Sequence, residues 1–240
     1  MSGGRPIGTW RDAALGRLLR PVRKALGARL GAARRHRDTV VEQVDGLPFL
    51  VLPDVFNPVL FRSGSLLAAA ARDELDAWPR SVEPPRVLDV GTGSGVAAVF
   101  AAIRGAEVEA VDLNPQAVRC ARLNANLHQV EDRVDVHEGD LFEPVQGKRF
   151  DLVTFNPPFR TAPPESFLEA AYRGGDLTER FAAGLGAVLA PDGRALVVLC
   201  TEAGCQDLVR RLKADGLAVE EAARTRWFGE LLVVVRAQRP

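Results

Sequence analysis

From Arg86 onward, short apolar runs alternate with segments in which apolar residues recur every three or four positions. The runs read as strands buried on both faces and the periodic segments as helices lying against them. Strands are predicted near 86–90, 107–112, 134–138, 150–155, 193–200 and 217–224, with helices near 96–104, 115–127, 176–189 and 203–215. That alternation argues a parallel sheet with helices on both faces. The tail from Phe228 to Val235 is a last strand reached too quickly for a helical crossover. Residues 217–236 should therefore close the sheet as an antiparallel hairpin.

Upstream the pattern changes. Val40–Val44, Asp45-Gly46 and Leu47–Leu52 read as a β-hairpin, because Asp-Gly supplies the positive φ of a tight turn. Pro53, Asn57 and Pro58 break the chain, and a helix from about Ser65 to Trp78 follows, capped by Ser63 or Ser65. Pro79, Pro84 and Pro85 mark a linker. In the first forty residues Leu15, Leu18, Leu19, Val22, Leu26 and Leu30 recur at helical spacing, interrupted by Pro21. The chain thus divides into an extension, residues 1–53, and a domain, residues 54–240.

Charge sharpens the division. The formal net charge is 0, yet residues 1–37 hold ten Lys and Arg against one acid, Asp12, and the remainder holds 21 basic and 30 acidic residues. A basic arm on an acidic body fits an amphipathic lid, a ribosomal or nucleic-acid contact, or a transit peptide. Three cysteines without Cys-x-x-Cys spacing suggest neither a disulfide framework nor a metal site, and fit buried thiols in a reducing cytoplasm. No apolar run approaches the ~18–20 residues that cross a bilayer.

Two stretches carry chemistry. Val87-Leu88-Asp89-Val90-Gly91-Thr92-Gly93-Ser94-Gly95 is a buried strand breaking into a glycine-rich turn, where backbone can approach a ligand closely. Its Gly-x-Gly-x-Gly spacing differs from the Gly-x-Gly-x-x-Gly of dinucleotide binders. Asp89 would repel a pyrophosphate but suits a cationic amino-acid group. Asp112, ending the second strand, is placed to take ribose hydroxyls, and Asp140, after the third, to accept from an adenine amino group between Leu113 and Leu141. Asp112 and Asp140 also read as turn or helix-capping residues.

The second stretch, Phe150 to Phe159, ends in Asn156-Pro157-Pro158-Phe159. An amide or exocyclic amino nitrogen is a poor nucleophile because its lone pair is delocalised. The Asn156 side-chain oxygen and the Pro157 carbonyl can each accept one N–H and localise that pair. Two prolines stiffen the acceptors, and Phe159 offers a face for a planar group. Asn-Pro-Pro is also a common turn former.

Together the glycine turn, the three acids and the corner resemble the class I S-adenosylmethionine-dependent methyltransferases, within them the enzymes that methylate planar nitrogen. The resemblance covers residues 55–236. It implies a Rossmann-like seven-stranded sheet of order 3-2-1-4-5-7-6 with the last strand antiparallel. It implies S-adenosylmethionine held by Asp89, Gly91, Thr92, Gly93, Gly95, Asp112, Leu113, Asp140, Leu141 and Asn156, with S-adenosylhomocysteine as product. Asn156, Pro157 and Phe159 would carry catalysis. Phe56-Asn57-Pro58, Ser63 and Leu66-Leu67 look like a pocket-bordering segment of glutamine methyltransferases, and Tyr172 to Asp176 like their Gly-Gly segment. The methyl acceptor would be a protein glutamine, a nucleobase or a small metabolite. A nicotinamide-dependent oxidoreductase and a catalytically silent scaffold are the other readings. His36, His128 and His137 form no hydrolase constellation, and no Gly-x-Ser-x-Gly elbow is present.

Overall fold

A computed structural model describes residues 38–79, 83–157, 176–200, 205–227 and 230–240. The helical arm, the linker residues 80–82, Phe159 and the stretch 172–175 lie outside the described residues.

Asp45 and Gly46 take φ of 48° and 84° and join β1 (Val40–Val44) to β2 (Leu47–Val51) in antiparallel register, as the Asp-Gly pair predicts. Asn57-Pro58, expected only to break the chain, opens the short helix α1 (Pro58–Phe61). Asn57 Oδ1 accepts from the N–H groups of Val59 and Leu60, and Pro58 sits where a helix needs no donor. Arg62, at φ 58°, separates it from α2 (Ser63–Asp76), which has no side-chain cap. The two serines expected to cap it serve otherwise: Ser65 donates to the Pro58 carbonyl at 3.2 Å, and Ser63 is buried against Asn156.

The alternating segment follows the pattern closely. It runs β3 (Arg86–Val90), α3 (Val96–Ile103), β4 (Glu107–Asp112), α4 (Pro115–Leu127), β5 (Val134–Glu138), β6 (Phe150–Phe155), α5 (Leu177–Val188), β7 (Leu189–Cys200), α6 (Cys205–Ala214), β8 (Ala218–Trp227) and β9 (Glu230–Gln238). The sheet order is β5-β4-β3-β6-β7-β9-β8, and β9 runs antiparallel to both its neighbours. Counted from β3, this is the expected 3-2-1-4-5-7-6. The strand expected at 193 begins at Leu189, which pairs with Phe150 before the register slips and Arg194 takes up Leu152. Pro191-Asp192-Gly193 fills the irregularity between them.

Apolar layers cover both faces of the sheet, which is why its inner strands lack polar alternation. Val87 and its register partner Leu152 join the layer of α2, α3 and α4; Leu88 and Val153 join that of α5 and α6. Gly95, at φ 78°, opens α3, and a Cβ there would lie 3.0 Å from Cα and Cβ of Ala121 on α4. This third glycine of the motif lets two helices touch. No helix among the described residues is long and apolar enough to cross a membrane.

One polar knot holds α2 to the late strands. Glu74, only 6% exposed, accepts from Arg194 on β7 at 2.8 Å and from Arg236 Nε on β9 at 2.6 Å. Arg194 also lies 4.4 Å over the Trp78 ring. Removing the carboxylate would leave Arg194 with the Trp78 ring and Arg236 with Glu220, both guanidinium groups being about a quarter exposed. Breaking a buried pair costs roughly 3–5 kcal/mol, and partial solvation reduces this to about 2–3 kcal/mol. Urea unfolding of Glu74→Ala should show that loss; a change below ~0.5 kcal/mol would mean water replaces the carboxylate.

Candidate active site

A cavity of about 230 Å³ opens at the carboxyl ends of β3, β4 and β6, where parallel open sheets bind ligands. It brings together every expected cofactor residue except Gly95: Asp89, Gly91, Thr92, Gly93, Asp112, Leu113, Asp140, Leu141 and Asn156, with Pro157 beside them. Gly95 turns toward α4 instead. Phe159 falls outside the described residues.

Asp89, next to last in β3, is 3% exposed. Thr92 Oγ1 donates to its Oδ2 and Thr154 Oγ1 to its Oδ1, both at 2.7 Å. Thr154 is its register partner on β6, so sheet pairing itself delivers the second hydroxyl. Burial pushes the carboxyl up to about 6; the two hydroxyls oppose that rise and the nearby Asp112 charge adds to it. Sequence reading missed Thr154, whose only signal was its place two residues before Asn156.

Asp112 accepts from the backbone N–H of Gly93 at 2.8 Å and of Asn114 at 2.9 Å. Burial raises its carboxyl while these donors hold it down. It thereby ties the glycine turn to the tip of β4. Helix capping belongs to Asn114, whose Oδ1 accepts from Gln116 N at 2.9 Å. The Asn114 amide also donates to the Asp54 carbonyl at 2.8 Å, fixing the chain that enters the cavity from the hairpin.

Gly91 and Gly93 have φ of 64° and 57°. A Cβ on Gly91 would meet only the Phe155 ring at 4.0 Å, and one on Gly93 only the Gly91 carbonyl at 4.0 Å. Positive φ, more than crowding, demands glycine at both. Leu113 is 51% exposed at the cavity and Leu141 holds φ 49°, a strained setting for a branched residue. Asp140 is ion-paired with Arg180 on α5 at 2.5 Å, a partner sequence reading did not anticipate.

At the far end, the Asn156 amide donates to Ser63 Oγ at 3.2 Å. Its Oδ1 is buried and, among the described residues, accepts no hydrogen bond. Behind it Phe155 stacks on Phe181 with ring centroids 4.1 Å apart. Asp54, Phe56, Pro58, Gly64 and Leu67 form the opposite wall, so the segment around Phe56-Asn57-Pro58 does border the pocket. Asn57 points away, donating to Glu42 Oε1 at 2.8 Å and so bracing α1 on β1.

The hairpin is bolted on by Asn124. Its Oδ1 accepts from Leu50 N at 2.8 Å; its amide donates to the Leu50 carbonyl at 2.7 Å and the Ser94 carbonyl at 2.8 Å. His128 donates to the Pro48 carbonyl at 2.8 Å. His137 meets Glu109 and, at longer range, Asp135, while Lys148 shares the Glu109 carboxylate; none of these lines the cavity.

A mostly parallel Rossmann-like sheet with an acid near each of three strand tips is an arrangement suited to binding a nucleoside. Residues 65–229 match the family described as the methyltransferase small domain, and the chain belongs to that family. A Methanocaldococcus jannaschii protein named for N5-glutamine methyltransfer is 31% identical over 209 residues, covering 83% of this chain and 100% of that one. The ribosomal protein uL3 glutamine methyltransferase of Bradyrhizobium diazoefficiens is 37% identical over 167 residues, covering 62% of this chain but only 51% of its own length. The chain thus spans about half of this bacterial relative. Among solved structures, the Thermus thermophilus 16S rRNA N2 G1207 methyltransferase, in complex with AdoMet and guanosine, superimposes with a TM-score of 0.60. That match has 21% identity and covers 84% of this chain and 50% of that one, a likeness of fold.

The raised Asp89 carboxyl has a pH consequence. Its folded value of about 6 exceeds the ordinary 3.8, so its contribution to stability is fully present below pH 3.8 and is lost as pH rises through about 6. Holding it ionised at neutral pH costs about 3 kcal/mol. Carboxyl NMR of the free protein should give a midpoint near 6, and Thr154→Val, which removes one donor to the anion, should move it higher. A wild-type midpoint at or below 4 would mean that the hydroxyls outweigh burial.

Proposed function

We propose that this chain transfers the methyl group of S-adenosylmethionine to a planar nitrogen, with the side-chain amide of a protein glutamine as the favoured acceptor. The single observation that carries the reading is the buried, unpartnered Oδ1 of Asn156 at the cavity end. An acceptor left without a donor in a buried place is costly, and an incoming N–H would satisfy it. The full-length alignment with the archaeal protein named for N5-glutamine methyltransfer, and the partial one with the uL3 glutamine methyltransferase, favour glutamine over a nucleobase.

The residues present fit the cofactor. Buried carboxylates suit a cationic amino acid and ribose hydroxyls, Gly91 and Gly93 leave backbone bare, and Leu113 and Leu141 offer apolar surfaces to a purine. In this reading Asp112 takes the ribose, Asp140 the adenine amino group and Asp89 the ammonium end. With both Asp89 oxygens already hydrogen-bonded to threonines, it acts as a fixed negative charge more than as a free ligand. Bound there, S-adenosylmethionine supplies an electrophilic methyl on a positively charged sulfur.

The corner then acts on the acceptor. Asn156 Oδ1 and the Pro157 carbonyl take the two N–H groups of the amide, drawing its lone pair out of conjugation and toward the methyl. Ser63 holds the Asn156 amide, so the acceptor oxygen is set before substrate arrives. After bond formation the nitrogen would shed its proton to solvent water, so no side chain need serve as general base. Phe159 would stack on the amide plane. Residues 54–240 form the catalytic domain in this reading, and the hairpin braces its cavity.

Asn156→Ala should lower turnover roughly 10²–10³-fold, as loss of a preorganised polar contact does elsewhere, while S-adenosylhomocysteine binding by calorimetry stays near wild type. Turnover within threefold of wild type would remove the corner from the mechanism. Methyl-labelled cofactor incubated with cell lysate, followed by separate protease and nuclease digestion, identifies the acceptor. Label released by protease alone supports the glutamine reading, and label released by nuclease alone replaces it with a nucleobase.

A further inference from the structure

Asp140 is the least enclosed of the three strand-tip acids, yet its surroundings are the most tightly specified. On one side a Cβ at Gly139 would lie 2.4 Å from Pro144 Cγ, so that backbone has room for glycine alone. On the other, Leu141 holds φ 49° and packs its side chain into the layer of Phe142 and Phe181. The Asp140 carbonyl accepts from Glu143 N at 3.0 Å. The backbone is thus pinned on both flanks, and one freedom remains, the rotation of the carboxylate.

Arg180 removes it. Its Nη1 donates to Asp140 Oδ2 at 2.5 Å, and its Nε donates to Asp176 Oδ1 at 3.2 Å, one turn earlier in the chain. The next residue, Phe181, is fully buried between Phe155 and Phe142, with ring centroids 4.1 Å and 5.5 Å away. The guanidinium therefore stands on a helix turn anchored to the residue just before Asn156. Both Arg180 and Asp140 face the cavity. Among the described residues, Asp140 Oδ1 takes no hydrogen bond, so the pair leaves one carboxylate oxygen for a ligand.

We propose that Arg180 is a positioning residue for cofactor choice: it locks the Asp140 carboxylate so that its remaining oxygen accepts a donor, and so makes the site prefer a 6-amino purine over a 6-oxo purine. The inference rests on the cofactor reading above. A fixed acceptor favours N–H and repels a carbonyl oxygen, whereas a freely turning carboxylate must first be ordered, which erodes both effects. A surface ion pair of ordinary kind would contribute to stability without touching this ratio.

The test compares S-adenosylhomocysteine with S-inosylhomocysteine by calorimetry on the full chain. Wild type should bind the adenosyl compound at least about tenfold more tightly, in line with the penalty for a mispaired polar contact. Arg180→Met should reduce that ratio by about three- to tenfold, from the cost of ordering a side chain on binding. Arg180→Lys, which keeps the charge but not the planar fork, should fall between. Thermal unfolding checks that both variants fold. In an Asp140→Ala background, Arg180→Met should change the ratio no further. An unchanged ratio in both Arg180 variants, or an equal effect without Asp140, would overturn the inference while leaving the cofactor reading intact. Failure of wild type to bind either nucleoside would overturn both.

Discussion

The pairing of β3 with a parallel neighbour on each side is the constraint from which the site follows. Register aligns Asp89 with Ala110 on β4 and with Thr154 on β6. The tips of three strands therefore finish at nearly one level, and the loops leaving them share a single cavity. Asp112 extends the second tip far enough to hold Gly93 N, and Asn156 stands two residues past Thr154. A slip of one residue in the pairing of β3 with β6 would turn Asp89 to the opposite face from Thr154 and lose that hydroxyl.

Polar groups hold this region, and among the described residues each of the three strand-tip acids has a partner within the protein. Asp89 is held by threonines, Asp112 by backbone N–H groups and Asp140 by a guanidinium. Ser63 takes the Asn156 amide and leaves its carbonyl oxygen unmatched. Elsewhere the two apolar layers supply most of the favourable free energy of folding. An ionised Asp89 draws on that reserve.

Much of this was legible in the residues. Asp89, Asp112, Asp140 and Asn156 each stand within two residues of a strand's carboxyl end and near a glycine or proline, so they could be named from the strand pattern. The sheet order, the Asp-Gly hairpin and the closing antiparallel pair were equally visible. Partners that depend on tertiary register were not. Thr154 is an ordinary strand residue until β6 is laid beside β3, and Arg180, forty residues beyond Asp140, resembles any arginine on a helix surface. Glu74 looks solvated on its helix until β7 and β9 bring two arginines over it. Asn57-Pro58 read as a breaker because the same dipeptide that stops one element starts the next. Gly95 was grouped with its neighbours by motif, yet its reason for being glycine is Ala121.

The Asn124 bolt bears on where the working unit begins. The amide's shortest hydrogen bonds go to the Leu50 backbone and the Ser94 carbonyl, in a place with no exposure to water. The family match starts at residue 65, some fifteen positions after Leu50. A fragment cut at that boundary would keep the sheet but leave Asn124 with a bare carbonyl oxygen and an idle amide hydrogen beneath the glycine turn. The two strands ahead of the matched region are, in this sense, internal scaffolding for a loop they precede by more than forty residues.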